Sequence, residues 1–204
     1  MASEIIVNTI KAPTTGANAN KVIIPSGVTL DASAATVDAS NGLTPPSGMA
    51  VQAVSHTWNA VTQLTIQTFT WTRYTATETS ITAKYPNSRY VVYMTFPVAS
   101  RATSANSQDI YYKVGSGSFA PLVKNIGGSS VDYGLSTIWD SGSTDIWASP
   151  SMHASNTVTS NAGDTITFAA YIRSGGPGTD NTSGNTQAGH PYYTGMVTVM
   201  EFKQ

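Results

Sequence analysis

Along much of this sequence, apolar and polar residues alternate with the two-residue period of a β-strand. In the segment 165–172, Ile166, Phe168 and Ile172 fall on one face of an extended chain, and Thr165 falls on the other. This alternation predicts a strand that turns one face to a core and the other face to water.

Nine segments of this kind follow one another, and turns rich in Gly, Asn, Ser and Pro separate them. The predicted strands are 51–58, 61–72, 79–85, 89–97, 109–114, 118–124, 131–139, 164–173 and 192–202. The predicted turns are 86–88, 115–117, 127–128, 140–142 and 161–164. Many short strands at near-regular spacing predict an all-β fold, an antiparallel β-sandwich of the jelly-roll type.

Two of the predicted strands are apolar on both faces. In the fourth, Val91 and Tyr93 lie opposite a fully apolar face, and in the last, Val197 and Val199 lie opposite three large apolar side chains. A sandwich strand of this kind needs a cover on its outer side, either a neighbouring subunit or a loop of the same chain. With the first alternative, the sequence predicts that these four residues line a subunit interface.

Residues 1–50 differ from the rest because their apolar residues form only short, isolated runs. Such small clusters do not offset the chain entropy of a single copy. The segment is therefore either disordered or extended and intertwined with copies of itself, and in the second case Ile5, Val7 and Ile23 face the assembly axis. The sequence thus predicts an N-terminal oligomerisation segment, 1–50, followed by a sandwich domain, 51–204.

Composition narrows the classes of function. Only 10% of the residues are charged, and 10 Lys and Arg nearly balance 11 Asp and Glu, so nucleic acid is not an expected partner. The polar surface comes instead from 24 Ser and 29 Thr. The absence of cysteine excludes disulfides and thiolate metal sites. Because apolar runs are short, we expect no membrane insertion and no secretion signal, with synthesis in a cytoplasm.

No pattern of catalytic residues stands out, so we expect a protein that is not an enzyme and that needs no cofactor or metal. The three histidines lack metal-ligand spacing, and no Gly-x-Ser-x-Gly elbow is present. A pair of carboxylates as in glycan hydrolases stays open as an alternative. The candidates mostly flank predicted strands, where Asp is a common turn residue; they are Asp109, Asp132, Asp140, Asp145 and Asp164.

Two tryptophans flank a polar, Gly-containing turn. Trp139 and Trp147 enclose a segment that includes Asp140 and Asp145. Aromatic rings stack on the apolar faces of sugars, and carboxylates accept hydrogen bonds from their hydroxyls. These four residues are therefore candidate receptor or glycan contacts. The alternative is that both tryptophans anchor adjacent strands in a core or an intersubunit contact.

A second candidate is the long polar segment 174–190 between two strong strands. Its small amide and hydroxyl side chains suit contact with a host surface, and the candidate residues are Asp180, Asn181, Asn185 and His190. The alternative is a flexible insertion without a function of its own.

Several stretches of the chain resemble a known group of proteins. These are KVIIPSGVTLDAS, NGLTPPSGMAVQ, the strand pair SITAKYPNSRYVVYMTFPV and the closing strand MVTVMEF. Together they resemble the fibre proteins and related virion structural proteins of tailed phages, especially marine ones. The resemblance covers most of the chain and rests on low-complexity patterns rather than on a catalytic motif.

The resemblance implies a location in the virion and a homotrimer. Residues 1–50 would dock to other virion proteins, and the sandwich would form a head like the trimeric jelly rolls of the tumour-necrosis-factor kind. The implied function is a short tail fibre or knob that attaches to a glycan or protein on the host surface. One alternative is a capsid-decorating or head-fibre protein of the same trimeric type. Another is a small carbohydrate-binding or glycan-cleaving protein.

Overall fold

The strand pattern recurs in the computed structural model of the protein. The structure describes residues 45–59, 64–66, 70–101, 105–123, 134–139, 146–174, 185–189 and 194–204. Within these ranges the chain forms thirteen β-strands and no helix, which confirms the predicted all-β class. Most of the predicted segment 1–50 lies outside the described residues, so its boundary and the roles of Ile5, Val7 and Ile23 stay predictions.

The strands pair in antiparallel fashion throughout the described residues. Their bounds are β1 Ala50–Asn59, β2 Leu64–Ile66, β3 Thr72–Thr82, β4 Arg89–Thr95, β5 Val98–Arg101, β6 Ala105–Val114, β7 Ala120–Pro121, β8 Ser136–Trp139, β9 Ile146–Ala148, β10 Ser151–Thr157, β11 Thr165–Ser174, β12 Asn185–Ala188 and β13 Thr194–Phe202.

The strands form a jelly roll. The first sheet has the order β1-β13-β4-β10, and a second sheet has the order β3-β11-β6-β7, with β8 also on β6. A third sheet has the order β2-β12-β5-β9. It repeats the strand order of the first sheet, because each of its strands is adjacent in sequence to the strand at the same position of the first sheet. The topology is clearest when neighbouring short strands are merged. Each strand of the first sheet is counted together with its sequence neighbour in the third sheet, and β7 is counted together with β8, which leaves eight long strands. Their orders are 1-8-3-6 and 2-7-4-5, which is jelly-roll topology.

Prolines lie where long strands break between the first and third sheets. Pro97 separates β4 from β5, and Pro150 separates β9 from β10. Proline has no N–H to give to the ladder, so a strand is interrupted at that residue. The predicted strand 89–97 therefore ends at Thr95, and pairing resumes at Val98 with the neighbouring third sheet.

The core lies between the first and second sheets. Tyr90 of β4 packs against Phe168 of β11, with ring centres 5.5 Å apart, and Phe96 packs against Tyr74 of β3 at 5.6 Å. These four rings are at most 2% exposed. Full burial of an aromatic side chain contributes roughly 1.5–3 kcal/mol. The apolar faces predicted for the strands β4 and β11 are thus the core faces.

A buried carboxylate joins the C-terminal strand to a turn between the two sheets. Glu201 of β13 is fully buried and accepts hydrogen bonds from the backbone N–H groups of Lys84 at 2.9 Å and Tyr85 at 3.2 Å. It also accepts one from the Ser88 hydroxyl at 2.6 Å and one from the side-chain amide of Gln52. The predicted turn at 86–88 therefore receives its acceptor from a residue more than a hundred positions away.

Several elements differ from the sequence prediction. The strand β3 begins at Thr72 rather than at residue 79, and the polar strand β10 was not predicted because only Met152 and Ala154 of it are buried. Strands β5 and β9 were also not predicted. The predicted loop 174–190 contains β12, which pairs with both β2 and β5. Strands β5, β9 and β12 are only three or four residues long and pair with one another and with β2 in the third sheet, so each is too short for its own sequence to indicate it.

Candidate functional site

The two candidate tryptophans belong to strands of different sheets. Trp139 ends β8, whose backbone pairs with β6 in the second sheet. Trp147 lies in β9, pairs with Ala99 of β5 in the third sheet and is half-buried. The segment between them, with Asp140 and Asp145, lies outside the described residues. Their joint role as a glycan contact stays a prediction, and the two strands that carry the tryptophans do not pair with each other.

The second group of candidates falls largely outside the described residues. Asp180, Asn181 and His190 are not described, and Asn185 begins β12, where its backbone pairs with Arg101. The contact role of these residues therefore stays a prediction.

The assignment of Val197 and Val199 to a subunit interface is wrong for these side chains. Both are fully buried in the core of a single chain, and Val199 pairs with Val92 of β4, which is also buried. The opposite face of β13 turns outward instead. Because both faces of this strand are apolar, its alternation alone did not distinguish the inner face from the outer one.

The outer face of the first sheet carries an apolar surface that the sequence had partly located. This surface lies on the neighbouring strands β4 and β13. We call it the apolar outer face, and it consists of Val91, Tyr93, Met196, Met200 and Phe202. Tyr93 and Met196 are each 43% exposed, which is high for large apolar side chains. As predicted for Val91 and Tyr93, these side chains project away from the core.

Two shallow pockets lie along the apolar outer face. One, of about 270 Å³, is lined by Tyr93, Met196 and Thr198, among others. The other, of similar volume, is lined by Val91 and Phe202 at the opposite end of the strands. Such depressions receive side chains from a surface that packs against them.

His153 of β10 borders the apolar outer face. Its ring stacks on Tyr93 with the ring centres 6.1 Å apart and the planes 27° from parallel. His56 lies on β1, where its ring contacts Trp58 at 5.4 Å. The two histidines therefore occupy separate strands and serve packing contacts.

The outer face of the second sheet carries a different surface. Four rings form a continuous row, in which Trp71 contacts Tyr111 at 6.1 Å, Tyr111 stacks on Tyr171 at 4.0 Å, and Tyr171 contacts Phe119 at 5.6 Å. We call this the aromatic row. Tyr111 and Tyr171 lie on β6 and β11, Trp71 directly precedes β3, and Phe119 directly precedes β7. No sequence pattern indicated the row because its members are far apart along the chain.

Cationic side chains lie over both ends of the aromatic row. Arg73 and Lys113 lie over the ring of Phe119, at 5.2 Å and 5.1 Å from its centre, and Arg173 lies 4.9 Å from the centre of Trp71. We call these three residues the cationic array. Cation–π contact holds each charged group near the sheet surface.

The electrostatics of this face combine burial with nearby charges. Burial raises the pKa of the Tyr171 hydroxyl, and the neighbouring charge of Arg73 partly opposes the increase. Glu78 forms an ion pair with Arg73, with 3.2 Å between Oε1 and Nε. Tyr171 therefore keeps its proton and can donate a hydrogen bond across the physiological pH range.

The carboxylates in the described residues serve local structure. Asp164 accepts a hydrogen bond from the backbone N–H of Asn161 at 2.7 Å, which closes the predicted turn at 161–164. Asp109 accepts one from the backbone N–H of Ile110. Within the described ranges, no group of three or more metal-ligating side chains comes together. A helix long and apolar enough to cross a membrane is also not found there.

Comparison with known proteins adds no family to this picture. The sequence matches no protein-family profile, and no curated protein is significantly similar to it. The fold and the two outer faces are therefore the features from which a function has to be inferred.

Proposed function

We propose that this chain is a non-enzymatic structural protein of a tailed-phage virion, a short tail fibre or knob. In this proposal three copies assemble through their jelly-roll heads, and residues 1–50 attach them to other virion proteins. The assembled head contacts the host cell surface. Several copies on one mount turn weak individual contacts into strong attachment.

The apolar outer face is the observation that carries the assembly part of this proposal. On this face Tyr93 and Met196 are each 43% exposed, and they lie beside the apolar side chains of Val91, Met200 and Phe202. Contiguous exposed apolar surface marks a contact site in soluble proteins. With charged residues at only 10% of the chain, little like-charge repulsion opposes the approach of a second copy.

The virion part of the proposal rests on the sequence resemblance to phage fibre proteins. The jelly roll is compatible with it, because this fold is common in viral capsid proteins and in lectins. The fold alone does not define the function, so assembly and location need separate experiments.

The test of assembly is the mass of the purified chain in solution by light scattering. We expect about 64 kDa, which is three chains of 21.4 kDa each. The double variant Tyr93→Thr with Met196→Thr should shift the mass toward 21.4 kDa while the β-sheet circular dichroism is retained. Leu135→Thr is the matched control, because Leu135 is also exposed but lies outside the apolar outer face. A wild-type single chain would refute the assembly.

The test of location and role uses an antibody raised against the purified chain. In electron micrographs of the phage particle, we expect gold label at the tail and not on the capsid. Label on the capsid would instead support the capsid-decorating alternative. Purified protein should also compete with phage particles for adsorption to host cells, and an absence of competition at saturating protein would refute the attachment role.

A further inference from the structure

The cationic array has no part in the proposed self-association, since it lies on the outer face of the other sheet. We propose that this array binds an acidic polysaccharide, whose carboxylates contact the charged groups of Arg73 and Lys113. The inference names a ligand class for host attachment and rests on that proposed function for its biological role. The binding itself is measurable on the purified chain.

The ring of Phe119 brings two cationic groups together. The Cζ of Arg73 and the Nζ of Lys113 lie 5.2 Å and 5.1 Å from its centre, so they are at most 10.3 Å apart, the sum of these distances. Arg73 extends from β3 and Lys113 from β6, with β11 between them. Because the ring restrains both side chains, less entropy is lost when an anion binds.

The surface is long enough for a polymer. Lys113 pairs in register with Thr167 of β11, whereas Arg173 lies six residues further along the same strand. At about 3.3 Å per strand residue, these positions are separated by about 20 Å. The aromatic row runs between them and offers the Tyr171 hydroxyl as a hydrogen-bond donor. A chain molecule that follows β11 would therefore meet cations near both ends.

The balance of charges favours a polysaccharide over nucleic acid. Among the described residues of this face, the three cations of the array are accompanied by two carboxylates: Glu78 pairs with Arg73, and Asp109 lies on the same face of β6 as Lys113. DNA carries one charge per roughly 1.7 Å and requires a basic surplus. A sugar polymer with at most one carboxylate per unit suits this smaller surplus, and its hydroxyls add neutral hydrogen bonds.

The test is affinity electrophoresis of the purified chain through gels that contain alginate, a carboxylated polysaccharide, or neutral dextran. We expect alginate to retard the chain and dextran to leave its mobility unchanged. Retardation by both polymers would overturn the acidic ligand class, and retardation by neither would overturn the proposal. A short DNA duplex that displaces alginate with equal affinity would overturn the choice of polysaccharide.

A pair of double variants tests the location of the site. Arg73→Gln with Lys113→Gln should weaken alginate binding about fivefold to thirtyfold, the effect of two exposed charge contacts. Lys84→Gln with Arg89→Gln removes the same charge from exposed positions outside the second sheet, and should change binding less than about twofold. Equal losses in both double variants would show non-specific attraction and refute the site.

A variant that binds more tightly provides a further test, because damage to the fold would weaken binding rather than strengthen it. Glu78 competes for Arg73, so Glu78→Gln should tighten alginate binding about twofold to fivefold, in proportion to one exposed ion pair. Unchanged or weaker binding would contradict the role of Arg73. Thermal unfolding of each variant, followed by circular dichroism, checks that the fold is intact.

The experiments separate this inference from the proposed function. Tyr93→Thr with Met196→Thr should leave alginate binding per chain intact, because both residues lie on the other sheet. A single-chain mass with intact alginate binding would refute self-association alone. A trimeric mass without alginate binding would refute the present inference alone.

Discussion

The buried carboxylate of Glu201 allows a quantitative test of how the sandwich is held together. The perturbation is Glu201→Ala, which removes an acceptor shared by the backbone N–H groups of Lys84 and Tyr85 and by the Ser88 hydroxyl. The methyl group cannot accept any of these hydrogen bonds. Because Glu201 is fully buried, the two backbone N–H groups lose an acceptor that lies inside the folded chain.

The magnitude follows from the number of donors. Each buried donor left without a partner costs about 1–3 kcal/mol. The two backbone N–H donors are left without a partner, whereas the Ser88 hydroxyl and the Gln52 amide each lose one hydrogen bond but keep the carbonyl oxygens of Tyr85 and Thr82. At about 1–1.5 kcal/mol for each backbone donor and about 0.5–1 kcal/mol for each lost hydrogen bond, the free energy of unfolding falls by about 3–5 kcal/mol. For a domain of this size, the melting temperature falls by about 2–4 °C per kcal/mol, hence by about 6–20 °C in total. Glu201→Gln keeps one carbonyl oxygen and should lose about 1–2 kcal/mol.

The assay is equilibrium unfolding in urea, followed by circular dichroism. Glu78→Ala is the matched control, because Glu78 is 31% exposed and its ion pair with Arg73 should contribute less than about 1 kcal/mol. In a double-mutant cycle, Glu201→Ala and Ser88→Ala should show a coupling of about 1–2 kcal/mol. A Glu201→Ala loss no larger than that of Glu78→Ala would refute the argument.

Three further predictions concern packing and pH. Gly195→Ala should destabilise the chain by about 1–3 kcal/mol in urea unfolding, because an added Cβ would overlap the indole of Trp58; an unchanged midpoint would contradict this. Burial raises the pKa of Tyr90 in the folded state, so stability should fall as pH rises above 10, where the unfolded hydroxyl ionises first. Tyr90→Phe should weaken that pH dependence, and an unaltered slope would rule out Tyr90 as its source. Val199→Asp should abolish folding, whereas Met200→Asp should leave a folded chain with lower mass by light scattering; a folded Val199→Asp variant would contradict the core position.

Four long strands were predictable because their own residues specify them, whereas the longest, β3, was predicted only in part. The strands predicted at 51–58, 89–97, 164–173 and 192–202 all match observed strands to within a few residues. Their alternating β-branched and aromatic residues favour extended backbone whatever lies beside them. The sequence did not predict β10, because β10 is a polar edge strand that depends on β4 for its hydrogen bonds.

The candidate surfaces were only partly predictable. Alternation in β4 placed Val91 and Tyr93 outside the core, because the opposite face of that strand was more uniformly apolar. In β13 both faces carry apolar residues, and the face with Met196, Met200 and Phe202 has the larger ones, so the pattern did not show that Val197 would be buried and Met196 exposed. The cationic array was invisible because its residues come from three separate strands.

By itself, the sequence determined that this chain is built from strands, because alternation and Thr-rich composition act over a few neighbouring residues. It also determined the low charge and the absence of cysteine, which limit the chemistry available. Only the tertiary structure decided that β1 pairs with β13 at the far end of the chain and that Glu201 serves the turn after β3. Strand pairs and hydrogen bonds between residues this far apart depend on how whole sheets pack around one core. A pattern within a few neighbouring residues does not contain that information.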